Sequence, residues 1–404
     1  MSETAPFGLL RLPTEIRFGV GAVATVAATV GRFGHRVLVC ADAVLAATPA
    51  FQVVRHQLEA GGMQVMLISD VQPELPLDSV LAGADQARLF GPDVVLGYGG
   101  GSSLDLAKLM ALLVTHPGPV SEYYGENRVP GPVVPVVAVP TTAGTGSEVT
   151  PVAVLSDPDR ALKVGVSDPA LIPRVALVDP RLLVGAPARV TAHSGIDAFV
   201  HAVEALTAAQ RSTEWPGTQG VFVGRSRLSS LLATDAVRLL AGSLRTAVTE
   251  GSDLGARTAT ALGSLEAGMA FGSAGTHLSH AIQYPLGALT HTPHGLGTGL
   301  MLPYVLDACA PVIGPELAAI GVAMGLPDPR MPATLDAVRA LVADIGIPRT
   351  LADIGVTRAD LPRIVELSLS VSRLVSNAPL PPSAALLTEI VDAAFEGRTA
   401  HALA

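Results

Sequence analysis

Two short stretches of this chain hold the side chains best suited to chemistry. Thr276 to Gly295 (THLSHAIQYPLGALTHTPHG) contains His277, His280, His291 and His294, four of the ten histidines in the sequence. Imidazole is a nitrogen ligand and a proton carrier near neutral pH, so such a cluster points to coordination or proton transfer. Ser194 to Glu204 (SGIDAFVHAVE) reads as the start of a helix with Ala198, Phe199, Val200, Ala202 and Val203 as its apolar faces. Asp197 and His201, four apart, project from one side of that helix. With His280 and His294 they make a set of one oxygen and three nitrogen donors, which suits Fe(II) or Zn(II) better than Mg(II) or Ca(II).

Each residue also has a plainer explanation. Ser194-x-x-Asp197 fits a helix capping box, in which the acid satisfies backbone donors. A single histidine on an apolar helix is commonly a hydrogen-bonded packing residue, and Pro293-His294-Gly295 fits a turn. One metal site accounts for all four residues at once.

These residues resemble the metal-binding pattern of the iron-containing (group III) alcohol dehydrogenases: an Asp-x-x-x-His pair on one helix, a histidine on a Gly/Ala-rich helix, and a histidine fourteen residues later in a His-Gly turn. The resemblance implies that Asp197, His201, His280 and His294 bind the catalytic metal, and it runs from about Thr14 into the three-hundreds. It implies a dehydroquinate synthase-like fold and a homodimer or larger homo-oligomer.

The elements that must hold such residues divide the chain in two. Its 404 residues exceed one ordinary domain, and 49% hydrophobic residues against 15% charged are enough for large cores. A net charge of −9 gives no basis for binding nucleic acid or an anionic membrane. Apolar runs are interrupted too early for a membrane span. The N-terminal sequence lacks a secretory pattern, and only two cysteines, Cys40 and Cys309, occur, as expected of a cytoplasmic protein with free thiols.

In the first half, apolar strand-length runs alternate with helical stretches. Thr14–Val23 combines a short strand with a glycine turn, and strands are expected at Arg36–Cys40, Gln64–Ser69, Asp93–Tyr98 and Val133–Val139. Helices are expected at Val44–Ala60 and Leu75–Leu89. Strands apolar on both faces and separated by helices predict a buried parallel sheet, hence an α/β dinucleotide-binding domain of Rossmann-like type over residues 1–186. From Pro187 onward the periodicity is helical, predicting an all-helical metal-binding domain over residues 187–404, with the active site in the cleft between the two. Ala209–Gly224 reads as a mobile loop and Gly397–Ala404 as a loosely held end.

Two glycine- and hydroxyl-rich turns follow predicted strands. Gly99-Gly100-Gly101-Ser102 opens a helix, a geometry in which backbone amides and the helix dipole meet an anion; a purely structural turn is the alternative. Pro140 to Glu148 (PTTAGTGSE) makes a polar loop suited to ribose and phosphate oxygens, or else a linker. The family resemblance implies that Gly100, Gly101 and Ser102 hold the cofactor's pyrophosphate, that Asp105 lies toward the nicotinamide side, that Thr141, Thr142 and Thr145 line the cofactor cleft, and that Lys163 contacts the ribose. Asp42, just past the first parallel strand, is placed to bond an adenosine ribose and repel a 2′-phosphate, which favours NAD over NADP; capping a turn is its other reading.

Together these imply a metal-dependent, NAD(P)-linked alcohol dehydrogenase, acting as an aldehyde or ketone reductase in reverse. One departure stands out. Where many members of the family carry a second histidine four residues after the third ligand, this chain has Tyr284, a poorer proton acceptor at neutral pH than imidazole. His277, three residues before His280, is then the candidate proton carrier. The AGTHLSHAIQYP segment is also similar to the hydroxyacid–oxoacid transhydrogenase branch, for which Arg225 or Arg227 would anchor a hydroxyacid carboxylate. A non-catalytic nucleotide- and metal-binding homologue is the third reading. A polyol dehydrogenase or dehydroquinate-synthase-like lyase fits least, because the ligand spacing differs.

Overall fold

The structure, a computed structural model, describes residues 8–211 and 220–399. The chain forms two compact units, Arg11–Ala186 and a second that runs from Pro187 onward and takes in residues 8–10. Residues 8–10 therefore pack with the helical unit although they precede the sheet in sequence. Half of the predicted loop at 209–224 and the last five residues of the predicted tail lie outside the described residues.

The first unit is built on a six-stranded parallel sheet. In chain order the unit's strands are β1 (Glu15–Phe18), β2 (Arg36–Cys40), β3 (Gln64–Ile68), β4 (Val94–Gly99), β5 (Gly125–Glu126), β6 (Val136–Pro140), β7 (Val152–Leu155), β8 (Val164–Ser167) and β9 (Val175–Val178). The main sheet has the order β1-β9-β6-β4-β2-β3, and β5, β8 and β7 form a small second sheet. Alternate side chains of each strand enter different cores. Leu38, Cys40 and Val95 pack with Leu106 and Met110 on one face. Val37, Val39, Val94 and Leu96 pack with Phe51 and Leu58 on the other. Both faces are covered, which is why these strands read as continuous apolar runs.

Three helices of this unit matter below: α1 (Pro49–Ala60), α2 (Leu77–Phe90) and α3 (Gly101–Thr115). The expected single helix over 44–60 is broken. Pro49 takes the first position of α1 under a Thr48 cap, after a separate turn at Ala43–Ala46. Strand order turns at β2, which leads outward to β3 and then back to β4 on its other side. A parallel sheet opens a ligand crevice at the carboxyl ends of strands around such a switch point. The loops carrying Asp42, Gly100 and Thr141 follow the carboxyl ends of the adjacent strands β2, β4 and β6.

The second unit is helical, with no strand among its described residues. Its main helices are α4 (Ala188–Thr207), α5 (Arg227–Thr249), α6 (Leu254–Ala274), α7 (Leu278–Thr290), α8 (His294–Cys309), α9 (Gly314–Ala323), α10 (Met331–Asp344), α11 (Leu361–Ser370) and α12 (Ala384–Glu396). They share one core that includes Phe199, Val203, Leu240, Ile282, Leu300 and Leu387. Helix α4 begins after Pro187, well before Ser194, so Ser194 is interior and its hydroxyl bonds the Thr191 carbonyl. The capping-box explanation of Asp197 is thereby excluded. Among the described residues, no helix is long and apolar enough to cross a membrane.

Candidate active site

Helix α4 carries Asp197, His201 and Glu204 on one buried face, none more than 5% exposed. His280 sits in the first turn of α7, and His294 is the first residue of α8. The approach of α8 to α4 depends on glycine. A Cβ on Gly295 would lie 1.9 Å from the His193 carbonyl oxygen, and one on Gly299 would lie 2.7 Å from Ile196. Only a bare backbone at these two positions lets His294 reach Asp197.

Asp197 Oδ1 lies 3.8 Å from His280 Nε2 and 3.7 Å from His294 Nε2. One ligand atom each from Asp197, His280 and His294 falls within 4.8 Å of the others. His201 Nε2 lies 4.0 Å from Asp197 Oδ2, with its ring stacked between Phe271 and His280. Donor atoms roughly 2.1 Å from one tetrahedral ion sit roughly 3.4 Å apart, so these separations suit a shared metal. The decisive test of fit is His280 Nε2, a buried atom with no hydrogen-bond partner. Its other nitrogen is occupied, since Nδ1 lies 2.7 Å from Glu204 Oε2. Thr298 donates to Asp197 Oδ1 at 2.9 Å. Burial pushes the Asp197 carboxyl up, but the three imidazoles and the Thr298 hydroxyl outweigh it and hold the group below its ordinary value.

Of the remaining histidines, His277 does not join the donor set. It is the residue preceding α7, 1% exposed, with Nε2 bonded to Thr207 Oγ1 at 2.8 Å and its backbone amide donating to Glu204. Burial lowers its basicity. His291 is exposed at the left-handed end of α7. Tyr284 is half-buried, its ring 6.2 Å from that of His294. Arg225 is paired with Glu316 at 2.5 Å, whereas Arg227 is exposed. Sequence reasoning passed over Glu204. Its signal was an acid two helical turns beyond Asp197 in an otherwise apolar run.

In the sheet unit, the two glycine- and hydroxyl-rich loops form one surface. Gly99 has φ +148°, and a Cβ there would lie 2.4 Å from Ser103 Oγ. A Cβ on Gly100 would meet Thr142 at 3.3 Å, and one on Gly101 would meet Thr145 at 2.7 Å. The glycines thus let the threonine loop lie against the start of α3, and Ser102 continues that first turn with its side chain partly accessible. Thr141 is buried, its amide donating to the Gly99 carbonyl at 2.9 Å.

Asp105 ties the arrangement together. Its two oxygens accept from Ser147 Oγ at 2.6 Å and the Val154 amide at 3.0 Å. The Lys108 ammonium, fully buried, donates to the carbonyls of Thr150 and Val152 at 2.9 and 2.7 Å. Burial lowers Lys108 to about 8 and raises the neighbouring Glu148 to about 7. Asp42 caps the turn at Ala43–Ala46, its Oδ1 accepting from Val44 and Leu45. Lys163 forms an ion pair with Glu74 at 2.8 Å.

A parallel α/β unit with an anion-receptive turn and a helical unit with one oxygen and several nitrogen donors define a metal-dependent oxidoreductase class. The chain belongs to the iron-containing alcohol dehydrogenase family: "Iron-containing alcohol dehydrogenase" matches residues 13–180 and "Fe-containing alcohol dehydrogenase family, C-terminal" matches residues 191–395. It is 38% identical over 395 residues to long-chain-alcohol dehydrogenase 1 of Geobacillus thermodenitrificans (strain NG80-2), covering 95% of this chain and 96% of that protein. The crystal structure of a 1,3-propanediol oxidoreductase superposes with a TM-score of 0.89 at 31% identity, over 96% of this chain and 100% of that one. Sulfoacetaldehyde reductase from Bifidobacterium kashiwanohense, solved in complex with NAD+, superposes with a TM-score of 0.83 at 25% identity, over 96% and 99% of the two chains.

Proposed function

We propose that the protein is a metal-dependent, NAD-linked alcohol dehydrogenase that also works in reverse as an aldehyde or ketone reductase on small substrates. The observation that carries the metal reading is the unpartnered, buried His280 Nε2 facing Asp197. Asp197, His201, His280 and His294 would hold Fe(II), with Zn(II) as the other metal this donor set accepts. When bound, the ion supplies Lewis acidity to a substrate oxygen, and NAD supplies the hydride acceptor.

The chain's own residues divide the remaining work. One carboxylate among four donors leaves a divalent site positively charged, which favours an oxygen that is losing its proton. Gly100, Gly101 and Ser102 would receive the pyrophosphate at the start of α3, with Thr142 and Thr145 packed against the same turn. Glu148, raised to about 7, is only about half ionised at that pH and so adds less repulsion beneath a phosphate loop than an ordinary carboxylate. Asp42 directs preference to NAD. Lys163 would reach the ribose only by exchanging its Glu74 partner.

Tyr284 is the candidate hydrogen-bond donor to substrate, since its ring flanks His294 whereas the His277 ring is enclosed by Thr207 and Glu204. The hydroxyacid–oxoacid reading is weakened by Arg225, whose charge is already answered by Glu316. Two buried free thiols, Cys40 and Cys309, suit a cytoplasmic setting.

The test is NADH formation by metal-replete protein with primary alcohols, diols and 4-hydroxybutyrate, each with and without 2-oxoglutarate. NADH accumulation with an alcohol, lost in His280→Ala, supports the dehydrogenase. Hydroxyacid oxidation only in the presence of the oxoacid, without free NADH, supports the transhydrogenase. No turnover with bound metal and NAD would favour a binding protein.

A further inference from the structure

We propose that Glu204 is a positioning residue of the metal centre: it fixes the orientation and tautomer of His280 so that Nε2 presents its lone pair to the ion. The inference rests on the metal reading of Asp197, His280 and His294 given above.

Glu204 is completely buried, and its two oxygens collect three N–H groups. The Ser279 amide donates to Oε1 at 2.6 Å, the His277 amide to Oε2 at 2.8 Å, and His280 Nδ1 lies 2.7 Å from Oε2. Oε2 already accepts from the His277 amide, so it meets the ring as an acceptor; Nδ1 carries the ring proton and Nε2 is the bare nitrogen. The remaining nitrogen, Nε2, is the buried atom without a partner.

The same carboxylate serves as the cap of α7. His277, which precedes the helix, makes no side-chain cap bond, and the orphan amides at this end are answered by Glu204 from α4 instead. One side chain thus sets both where α7 starts and how its first histidine is turned. Charge points the same way. A carboxylate hydrogen-bonded to the far nitrogen of His280 raises the basicity of the ring that faces the ion. Glutamine at 204 would remove that charge and offer an amide donor to groups that are themselves donors.

The experiment is the Zn2+ dissociation constant of chelator-stripped protein, measured by competition with a chromophoric chelator, for wild type, Glu204→Gln and Glu204→Asp. Glu204→Gln is expected to bind about 10- to 100-fold more weakly, the usual cost of losing a carboxylate behind a histidine ligand. Glu204→Asp, which keeps the charge but withdraws it by one methylene, should fall between. A wild-type constant in Glu204→Gln overturns the inference alone. Failure of the wild type to bind Zn2+ overturns it together with the metal reading. A mere helix cap would lower the melting temperature of the metal-free protein and leave the Zn2+ constant unchanged.

A measurement independent of variant folding is the imidazole nitrogen spectrum of 15N-histidine-labelled, metal-free wild type, with His280 assigned by its loss in His280→Ala. The Nδ1–H tautomer is expected, and the Nε2–H tautomer would overturn the proposal.

Discussion

Three buried acids in this chain are treated in opposite ways by its two units. In the helical unit, Asp197 and Glu204 are held below the ordinary carboxylate range by imidazoles and hydrogen-bond donors despite burial. In the sheet unit, burial wins at Glu148, raised to about 7. The difference follows what each region has to bind. The proposed cation site keeps its carboxylates charged, whereas the loop proposed to receive phosphate holds an acid that is only partly ionised near neutral pH. The means of construction differ as well. The proposed metal centre is made of side chains fixed by helix spacing, and the proposed phosphate turn is made of backbone exposed by missing side chains.

Glycine is where the two meet, because each region needs it for close approach, and substitutions there separate them. Gly295→Ala puts a Cβ on the His193 carbonyl, so α8 and His294 must move away from α4. Overpacking of this kind costs up to ~3 kcal/mol, and we expect Zn2+ binding weakened roughly 100-fold with NAD binding unchanged, both by titration. Gly101→Ala reverses the pattern. Its Cβ meets Thr145, and NAD affinity should fall roughly 10-fold, ~1.4 kcal/mol, with metal binding intact. Adding Thr145→Ala should restore most of the loss, a coupling that a double-mutant cycle reads directly.

Much of the helical site was legible in sequence because a helix converts spacing into direction, so Asp197 and His201 could be put on one face without knowing the fold. The helix boundary was not legible: Ser194 resembles a cap only if the helix starts there, whereas the helix already opens after Pro187. Glu204 was hidden because its role depends on amides and a ring contributed by α7, which only tertiary packing brings near. Likewise His277 lies three residues before the proposed ligand His280, but its ring turns to Thr207 on α4. In the sheet unit the glycine runs announced a turn, and the apolar strands announced burial on both faces. That Lys163 would pair with Glu74, or Lys108 with the carbonyls of Thr150 and Val152, no local pattern could indicate.

The contrast between acids gives a pH-dependent prediction. The folded-state value of Glu148 lies above its ordinary 4.5, so its carboxyl begins to oppose folding as pH rises past 4.5 and does so fully above about 7. Glu148→Gln should therefore stabilise the protein at pH 8 and make little difference below pH 4.5. We expect a gain on the order of 1 kcal/mol, less than the full shift corresponds to, because Lys108 loses a favourable neighbour. Thermal unfolding across this range checks it; an unchanged difference between variant and wild type from pH 4 to 8 would contradict it.

The smallest effect is expected at Asp42. Replacing it with alanine removes one negative charge near the proposed ribose site, and preference for NAD over NADP should narrow roughly fivefold, ~1 kcal/mol, in the ratio of kcat/KM values. The loss of its cap bonds to Val44 and Leu45 is a separate effect, read as stability.

The most direct test of the account is metal content per chain, by elemental analysis after exhaustive dialysis of protein reconstituted with Fe(II) without oxygen. Wild type should retain one ion per chain, and Asp197→Ala, His280→Ala and His294→Ala should each retain essentially none. Equal metal in wild type and all three variants would mean that these residues do not form the metal centre.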